Sequence, residues 1–295
     1  MRSGFVGLIG RPNVGKSTLI NCIIGKKIAI TSAKPQTTRN IIQGIYNEDK
    51  YQIVFVDTPG IHKPKNKLGK NLNRQAYYSI DDVDILLFVV DAYEGIGKGD
   101  IYILDKLKEC KKTVFLIINK IDKITHEQII NRINEYKDLY DFDEIIPVSS
   151  YKKTNIEDLV ETIKRYLPDN IKYYEEGSIT NKSVEFLMSE IVREKVFRHT
   201  TEEVPHSITC LTETFEMSKN NYSIRISIIV DRDSLKKIII GKQGEMIKKI
   251  GIESRKDLEQ LLGKKVYLEL FVKTVKNWRE KEKYLQEFGF YDFNE

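Results

Sequence analysis

Gly10-Arg11-Pro12-Asn13-Val14-Gly15-Lys16-Ser17 spells G-x-x-x-x-G-K-[ST]. The octet stands between an apolar run, Phe5–Ile9, and an apolar-periodic stretch from about Lys16 to Ile24. A strand, a glycine loop and a helix in that order are the setting in which such a loop cradles phosphate. The glycines let backbone N–H groups close around phosphate oxygens, and the N-terminus of the next helix favours negative charge. Lys16 then reaches the β- and γ-phosphates, and the Ser17 hydroxyl ligates Mg2+. A chance glycine turn before a helix is the competing reading, and the flanking pattern argues against it.

Outward from this loop, strands and helices alternate. Gln52–Val56, Ile85–Val90, Thr113–Ile118 and Glu144–Val148 are further short apolar runs. Runs of that kind suit a parallel sheet covered on both faces. Helical patterns lie between them, near residues 70–80, 99–110, 125–139 and 156–166, so an α/β fold with a mostly parallel sheet is expected. The pattern changes near Pro168. We place the first domain at residues 1–172, a linker at 173–182, a smaller α+β domain at 183–276 and a charged helical tail at 277–295. A length of 295 residues fits two domains. With 41% hydrophobic and 31% charged residues, wholesale disorder is not expected. No apolar run approaches the ~20 residues that span a bilayer, and no signal segment precedes the loop. Cys22, Cys110 and Cys210 are odd in number and far apart, which points to a reducing cytoplasm rather than a disulfide framework. The four histidines have no ligand spacing.

Two further motifs follow the loop in order. Asp57-Thr58-Pro59-Gly60 ends the strand Gln52–Val56. There a carboxylate holds Mg2+ through water and the Gly60 N–H meets the γ-phosphate. Alone the tetrapeptide is an ordinary turn; its position gives it meaning. Asn119-Lys120-Ile121-Asp122 follows the strand Thr113–Ile118. A carboxylate at Asp122 accepts hydrogen bonds from guanine N1–H and the 2-amino group. Adenine offers neither donor and would leave Asp122 desolvated and unpaired, a cost of a few kcal/mol. Asn119 braces the site and the Lys120 stem lies over the base. The bland alternative is a capped helix start. At Ser149-Ser150-Tyr151, backbone N–H groups are in place to contact the guanine oxygen. The nucleotide expected is therefore GTP or GDP, with an ATP-driven enzyme as a further alternative.

These elements resemble the translation-factor-like class of phosphate-loop GTPases. The resemblance narrows at Lys34-Pro35-Gln36-Thr37-Thr38-Arg39-Asn40, where it implies a Mg2+ ligand sensitive to the γ-phosphate. Thr38 is the better candidate and Thr37 the alternative. Lys16, Thr38 and Gly60 form the expected catalytic set; Ser17, Thr38 and Asp57 form the metal set. Ile61 stands where many such GTPases carry a water-orienting Gln, so unaided hydrolysis is expected to be slow. Relatives with an apolar residue there and an asparagine at the Asn13 position often use potassium, which makes K+ a second candidate ion.

The net charge of +5 is unevenly distributed. Residues 231–283 hold 15 Lys/Arg and 9 Asp/Glu, a net of +6. A basic excess confined to one segment suits a polyanion-binding module. Within it, Gly241-Lys242-Gln243-Gly244 is a G-x-x-G loop between apolar-periodic segments. Such a loop lets a nucleic-acid backbone approach closely, as in KH domains that clamp about four nucleotides. Lys248 and Lys249 are placed to touch phosphates. Ile239 and Ile240 suit core or groove wall better than base stacking, and Trp278 suits packing. A tight turn with a solvated basic face is the alternative. The element order helix, strand, strand, helix, helix, strand looks like a type II KH fold, with helices read at 245–250 and 252–262.

The pairing of this loop with the three nucleotide motifs resembles the bacterial Era family across nearly the whole chain. The resemblance implies binding to 16S rRNA near its 3′ end and a role in maturation of the 30S ribosomal subunit. It also implies peripheral contact with the inner membrane. A monomer is expected. The competing function for the C-terminal module is a protein or membrane interaction domain whose basic face meets anionic lipid.

Overall fold

The computed structural model describes residues 1–31, 37–59, 66–219 and 221–290, with the side chains of 75–81 left aside. Two units separate. The first comprises Met1–Pro64 and Leu72–Asn181, and the second Lys65–Asn71 and Lys182–Glu295.

The first unit runs β1 (Arg2–Ile9), α1 (Lys16–Ile24), β2 (Ile42–Glu48), β3 (Tyr51–Asp57), the part of α2 (Lys67–Asp81) from Leu72 onward, β4 (Ile85–Asp91) and α3 (Lys98–Leu107). It continues with β5 (Thr113–Asn119), α4 (His126–Lys137), β6 (Glu144–Pro147) and α5 (Ile156–Tyr166). Its sheet has the order β2-β3-β1-β4-β5-β6. Every pairing is parallel except β2 with β3. The expected doubly covered parallel sheet is present: all seven residues of β4 are buried. Chain order reverses across β1, which has β3 on one side and β4 on the other. In open α/β sheets ligands bind at such a switch point, outside the carboxyl ends of the strands. The register fixes what gathers there, since Leu8 lies opposite Asp57 and Asp91 opposite Asn119.

β2 was not legible in the sequence. Gln43, Gly44 and Asn47 interrupt its apolar pattern, and it pairs on one side only, where weak alternation suffices. The stretch read as a linker is laid along this strand. Ile45 N–H donates to Ile179 O (3.0 Å), Asn47 Nδ2 to Ser178 O (2.9 Å) and Gln43 N–H to Asn181 Oδ1 (3.1 Å). The Gln52 side chain accepts from the Tyr173 and Tyr174 amides at 2.7 and 2.9 Å. Residues 173–181 thus satisfy part of an otherwise unpaired sheet edge.

The second unit runs α6 (Val184–His199), β7 (Ile208–Met217), β8 (Asn221–Val230), α7 (Asp233–Ile240), α8 (Glu245–Leu262), β9 (Lys265–Thr274) and α9 (Glu282–Glu287). Its sheet order is β7-β8-β9, with β8 antiparallel to β7 and parallel to β9. This is the expected smaller α+β domain with the type II element order. Its core is built from Met188, Val192 and Val196 of α6, Ile226 and Ile228 of β8, Leu235 and Ile239 of α7, and Ile250 and Leu258 of α8. One boundary differs from expectation. α8 continues through Gly251 as a single helix, where the glycine suggested a break. Ile250 and Leu258 on its buried face sit in the core, and that burial outweighs the ~1 kcal/mol cost of a mid-helix glycine. Trp278 is fully buried, donates from Nε1 to Ser207 O (3.1 Å) and stacks on Phe290, so it is a packing residue. Among the described residues no helix is long and apolar enough to cross a membrane.

Candidate functional site

The carboxyl edge of the sheet collects the nucleotide motifs. Gly15 enters α1 at φ +104°, and a Cβ there would stand 2.3 Å from Asn119 Nδ2. Only glycine lets the phosphate loop pass this close to the Asn119 amide. That amide in turn donates to Val14 O at 2.9 Å, which ties the base motif to the phosphate loop. Lys16 is folded into the loop and donates from Nζ to Gly10 O (2.9 Å) and Arg11 O (3.1 Å). Burial pulls its pKa down to about 8, partly offset by the Asp57 charge.

Three oxygens converge beside it. Ser17 Oγ donates to Asp57 Oδ2 (2.6 Å) and lies 2.9 Å from Thr38 Oγ1, which is itself 3.2 Å from Asp57 Oδ2. Asp57 is fully buried, and burial raises its pKa despite Lys16 and the two hydroxyls. Among the described residues its Oδ1 has no hydrogen-bond partner. A buried carboxylate oxygen left over beside two hydroxyls is the donor set a hard cation such as Mg2+ takes. Of the two threonines, Thr38 is the one placed in this cluster. Thr58 donates to Leu8 O (2.8 Å) and so braces β3 against β1. Gly60 and Ile61 lie outside the described residues.

On the base side, Asn119 Oδ1 accepts from the Lys120 amide (2.9 Å), the Ser150 amide (3.1 Å) and the Ser150 hydroxyl (2.9 Å). Ile121 and Asp122 fall in a short 3-10 turn, with Ile121 N–H bonded to Val148 O (3.3 Å). The Asp122 side chain is exposed, and its Oδ1 accepts from the Ser149 hydroxyl. The Ser149 amide bonds to Thr154 O (3.1 Å) and the Ser150 amide to Asn119 Oδ1 (3.1 Å). Their hydroxyls hold Asp122 and Asn119. Arg11 is redirected: its guanidinium turns to Asp100 on α3, and only its backbone faces the loop interior.

Two residues of this site went unread in the sequence, Asp91 and Asp100. Asp91 closes the apolar run of β4 just as Asp57 closes β3, a signal that was available. Asp100 gave no local signal.

In the second unit, Gly241–Gly244 joins α7 to α8. Gly241 has φ +74°, and a Cβ there would lie 2.7 Å from Met246 Cβ and 2.9 Å from its backbone nitrogen. Gln243 is also left-handed, at φ +51°. Lys242, Gln243, Lys248 and Lys249 are exposed. Ile239 is fully buried in the core, whereas Ile240 is half-buried against it, with Met246 and Leu270.

Comparison with known proteins agrees with both halves. The family described as 50S ribosome-binding GTPase matches residues 5–120, and the KH domain family matches residues 203–279. GTPase Era of Clostridium kluyveri is 47% identical over 293 residues, 98% of this chain and 99% of the relative. A crystal structure of an Era variant from Aquifex aeolicus bound to GDP and AlF4− is 41% identical, with TM-score 0.94, and the match covers 98% of this chain and 99% of that one. A second structure, Era in complex with MgGDPNP and nucleotides 1506–1542 of 16S ribosomal RNA, has the same identity, coverage and TM-score.

Proposed function

The chain belongs to the Era family of GTPases, and from that premise we propose that its GTP hydrolysis times the binding of 16S rRNA near its 3′ end and assists 30S subunit maturation. The observation that carries this is the gathering of Ser17, Thr38 and Asp57 oxygens beside buried Lys16, on the same sheet edge as Asp122.

Gly10–Ser17 wraps the phosphates with backbone N–H groups. The Lys16 ammonium, costly to bury alone, finds its counter-charge on them. Ser17, Thr38 and Asp57 are the residues that would hold Mg2+, which neutralises charge on the β- and γ-phosphate oxygens when bound. Asp122 takes the guanine donors. Thr38 belongs to the segment that senses the γ-phosphate, so GTP orders it and hydrolysis releases it. Ile61 cannot orient water by hydrogen bonding, so turnover is slow unaided; Asn13 is the residue that would help hold K+, which would add positive charge near the phosphates when bound. Equal turnover in K+ and Na+ buffers overturns that last role.

The basic second unit is the RNA clamp. Gly241–Gly244 admits the backbone of a single strand, with Lys242, Lys248 and Lys249 on phosphates. The relative crystallised with 16S nucleotides 1506–1542 supports this target. Membrane contact, in this reading, is peripheral, and the protein acts as a monomer. The deciding measurement is binding of a short RNA from the 16S 3′ end with a GTP analogue and with GDP. A difference between the two is expected. Equal binding, or none in either state, overturns the switch.

A further inference from the structure

The phosphate loop is held from behind by one short segment, residues 91–100, through two buried carboxylates. Asp91 is 2% exposed and Asp100 fully buried. Asp91 Oδ2 pairs with Lys120 Nζ at 2.5 Å, and Lys120 Nζ donates onward to Asn13 O at 2.6 Å. The other Asp91 oxygen accepts from the Tyr93 amide (2.9 Å) and the Glu94 amide (3.3 Å). Asp100 pairs with Arg11 Nε at 2.9 Å and also accepts from the Gly97 amide (2.9 Å) and the Tyr136 hydroxyl (3.3 Å). Arg11 donates from Nη2 to Gly95 O at 2.8 Å. Its ion pair with Glu94, at 3.6 Å, is solvent-exposed on the glutamate side and adds little.

The close approach is built in. A Cβ on Gly97 would stand 2.6 Å from Arg11 Nη1, and one on Gly99 would stand 2.9 Å from Arg11 Cγ and Cδ. The segment is itself pinned, since Ala92 N–H donates to Asn119 O (2.9 Å) and Arg132 Nε to Ala92 O (3.1 Å). The contacts form a circuit. It runs from Arg11 to Asp100, along the segment to Asp91, across to Lys120 and back to Asn13.

We propose that Asp91 and Asp100 are positioning residues, and that segment 91–100 couples guanine recognition by the 119–122 motif to the shape of the phosphate loop. Neither carboxylate touches the nucleotide. Each neutralises a cation, Lys120 or Arg11, that would otherwise be drawn toward the phosphates or left desolvated. Lys120 is shared, because it carries both the base motif and the Asn13 carbonyl. Loosening either end therefore slackens the same loop. This inference rests on the assignment of the nucleotide site above.

The test measures GDP affinity in the presence of Mg2+ for the full chain carrying Asp91→Asn, Asp100→Asn or both, alongside KM and kcat for GTP. Each single change is expected to weaken GDP binding about tenfold and to raise KM more than it lowers kcat, and the double change falls well short of the product of the two. Arg11→Gln combined with Asp100→Asn recovers most of the loss from Asp100→Asn, because no buried charge is left unpaired. If Asp100→Asn fails to fold, that pair and Asp91→Asn carry the measurement. Losses that multiply overturn the coupling. Lowered melting temperatures with unchanged GDP affinity overturn the positioning role. Asp122→Asn is the control for the site itself: it shifts preference from guanine to xanthine nucleotides, and if it does not, the site assignment fails rather than the circuit.

Discussion

The Ser149 hydroxyl donates to Asp122 Oδ1 and accepts from the Lys152 amide at 3.0 Å. One buried hydroxyl therefore fixes the carboxylate proposed above to distinguish guanine from adenine and also satisfies the turn that follows it. Ser149→Ala leaves Asp122 free to rotate and Lys152 N–H unpaired. GDP affinity is expected to fall about three- to tenfold, about 0.7–1.4 kcal/mol, the net worth of an ordinary hydrogen bond. Titration of wild type and variant with GDP checks it. An unchanged affinity removes Ser149 from the recognition of guanine.

Lys16 sets a pH dependence whose sign is determined. Its pKa in the nucleotide-free fold is about 8, against 10.5 ordinarily. Between those values the unfolded chain holds a proton that the folded chain lacks, so nucleotide-free stability gains from this group as pH rises through that window. Asp57, raised by burial above 3.8, acts oppositely in acid, and its contribution falls as pH rises from there. Phosphate binding must recharge Lys16. GDP affinity is therefore expected to fall as pH rises above about 8, with proton uptake on binding. Calorimetry in two buffers of different ionisation enthalpy reads the uptake directly.

In the second unit, Gly241→Asp with Gly244→Asp is expected to abolish binding to the 16S 3′-end RNA while GTP turnover without RNA stays within about twofold. Both positions have positive φ, and Gly241 has no room for a Cβ beside Met246. Replacing Lys248 and Lys249 with alanine is milder. It lowers the slope of log affinity against log salt by about 1.4, two phosphate contacts on a single strand. A slope that does not move means these lysines point past the RNA.

Trp278→Ala is expected to destabilise the second unit by about 3–5 kcal/mol, the usual range for a fully buried large aromatic. The change also orphans Ser207 O and strips the stack from Phe290. Denaturant unfolding followed separately for the two units measures it. A loss below about 1 kcal/mol would mean that the surrounding side chains collapse into the space.

The sequence by itself determined the two domain types, the nucleotide and the G-x-x-G loop. Each depends on chemistry local to the chain: glycines where the backbone closes on phosphate, a carboxylate at the end of an apolar strand, lysines around a tight turn. Residue order carries such features because they need only neighbours. Tertiary structure decided where Arg11 points, what Ser149 and Ser150 do with their amides, that Asp100 is buried, that residues 173–181 line β2, and that Gly251 interrupts nothing. Those outcomes depend on partners tens of residues away: Arg11 on Asp100, Asp122 on Ser149, Ile45 on Ile179. Burial of a charge or an amide has a cost that only its distant partner can offset, and no local pattern records which partner the fold will bring.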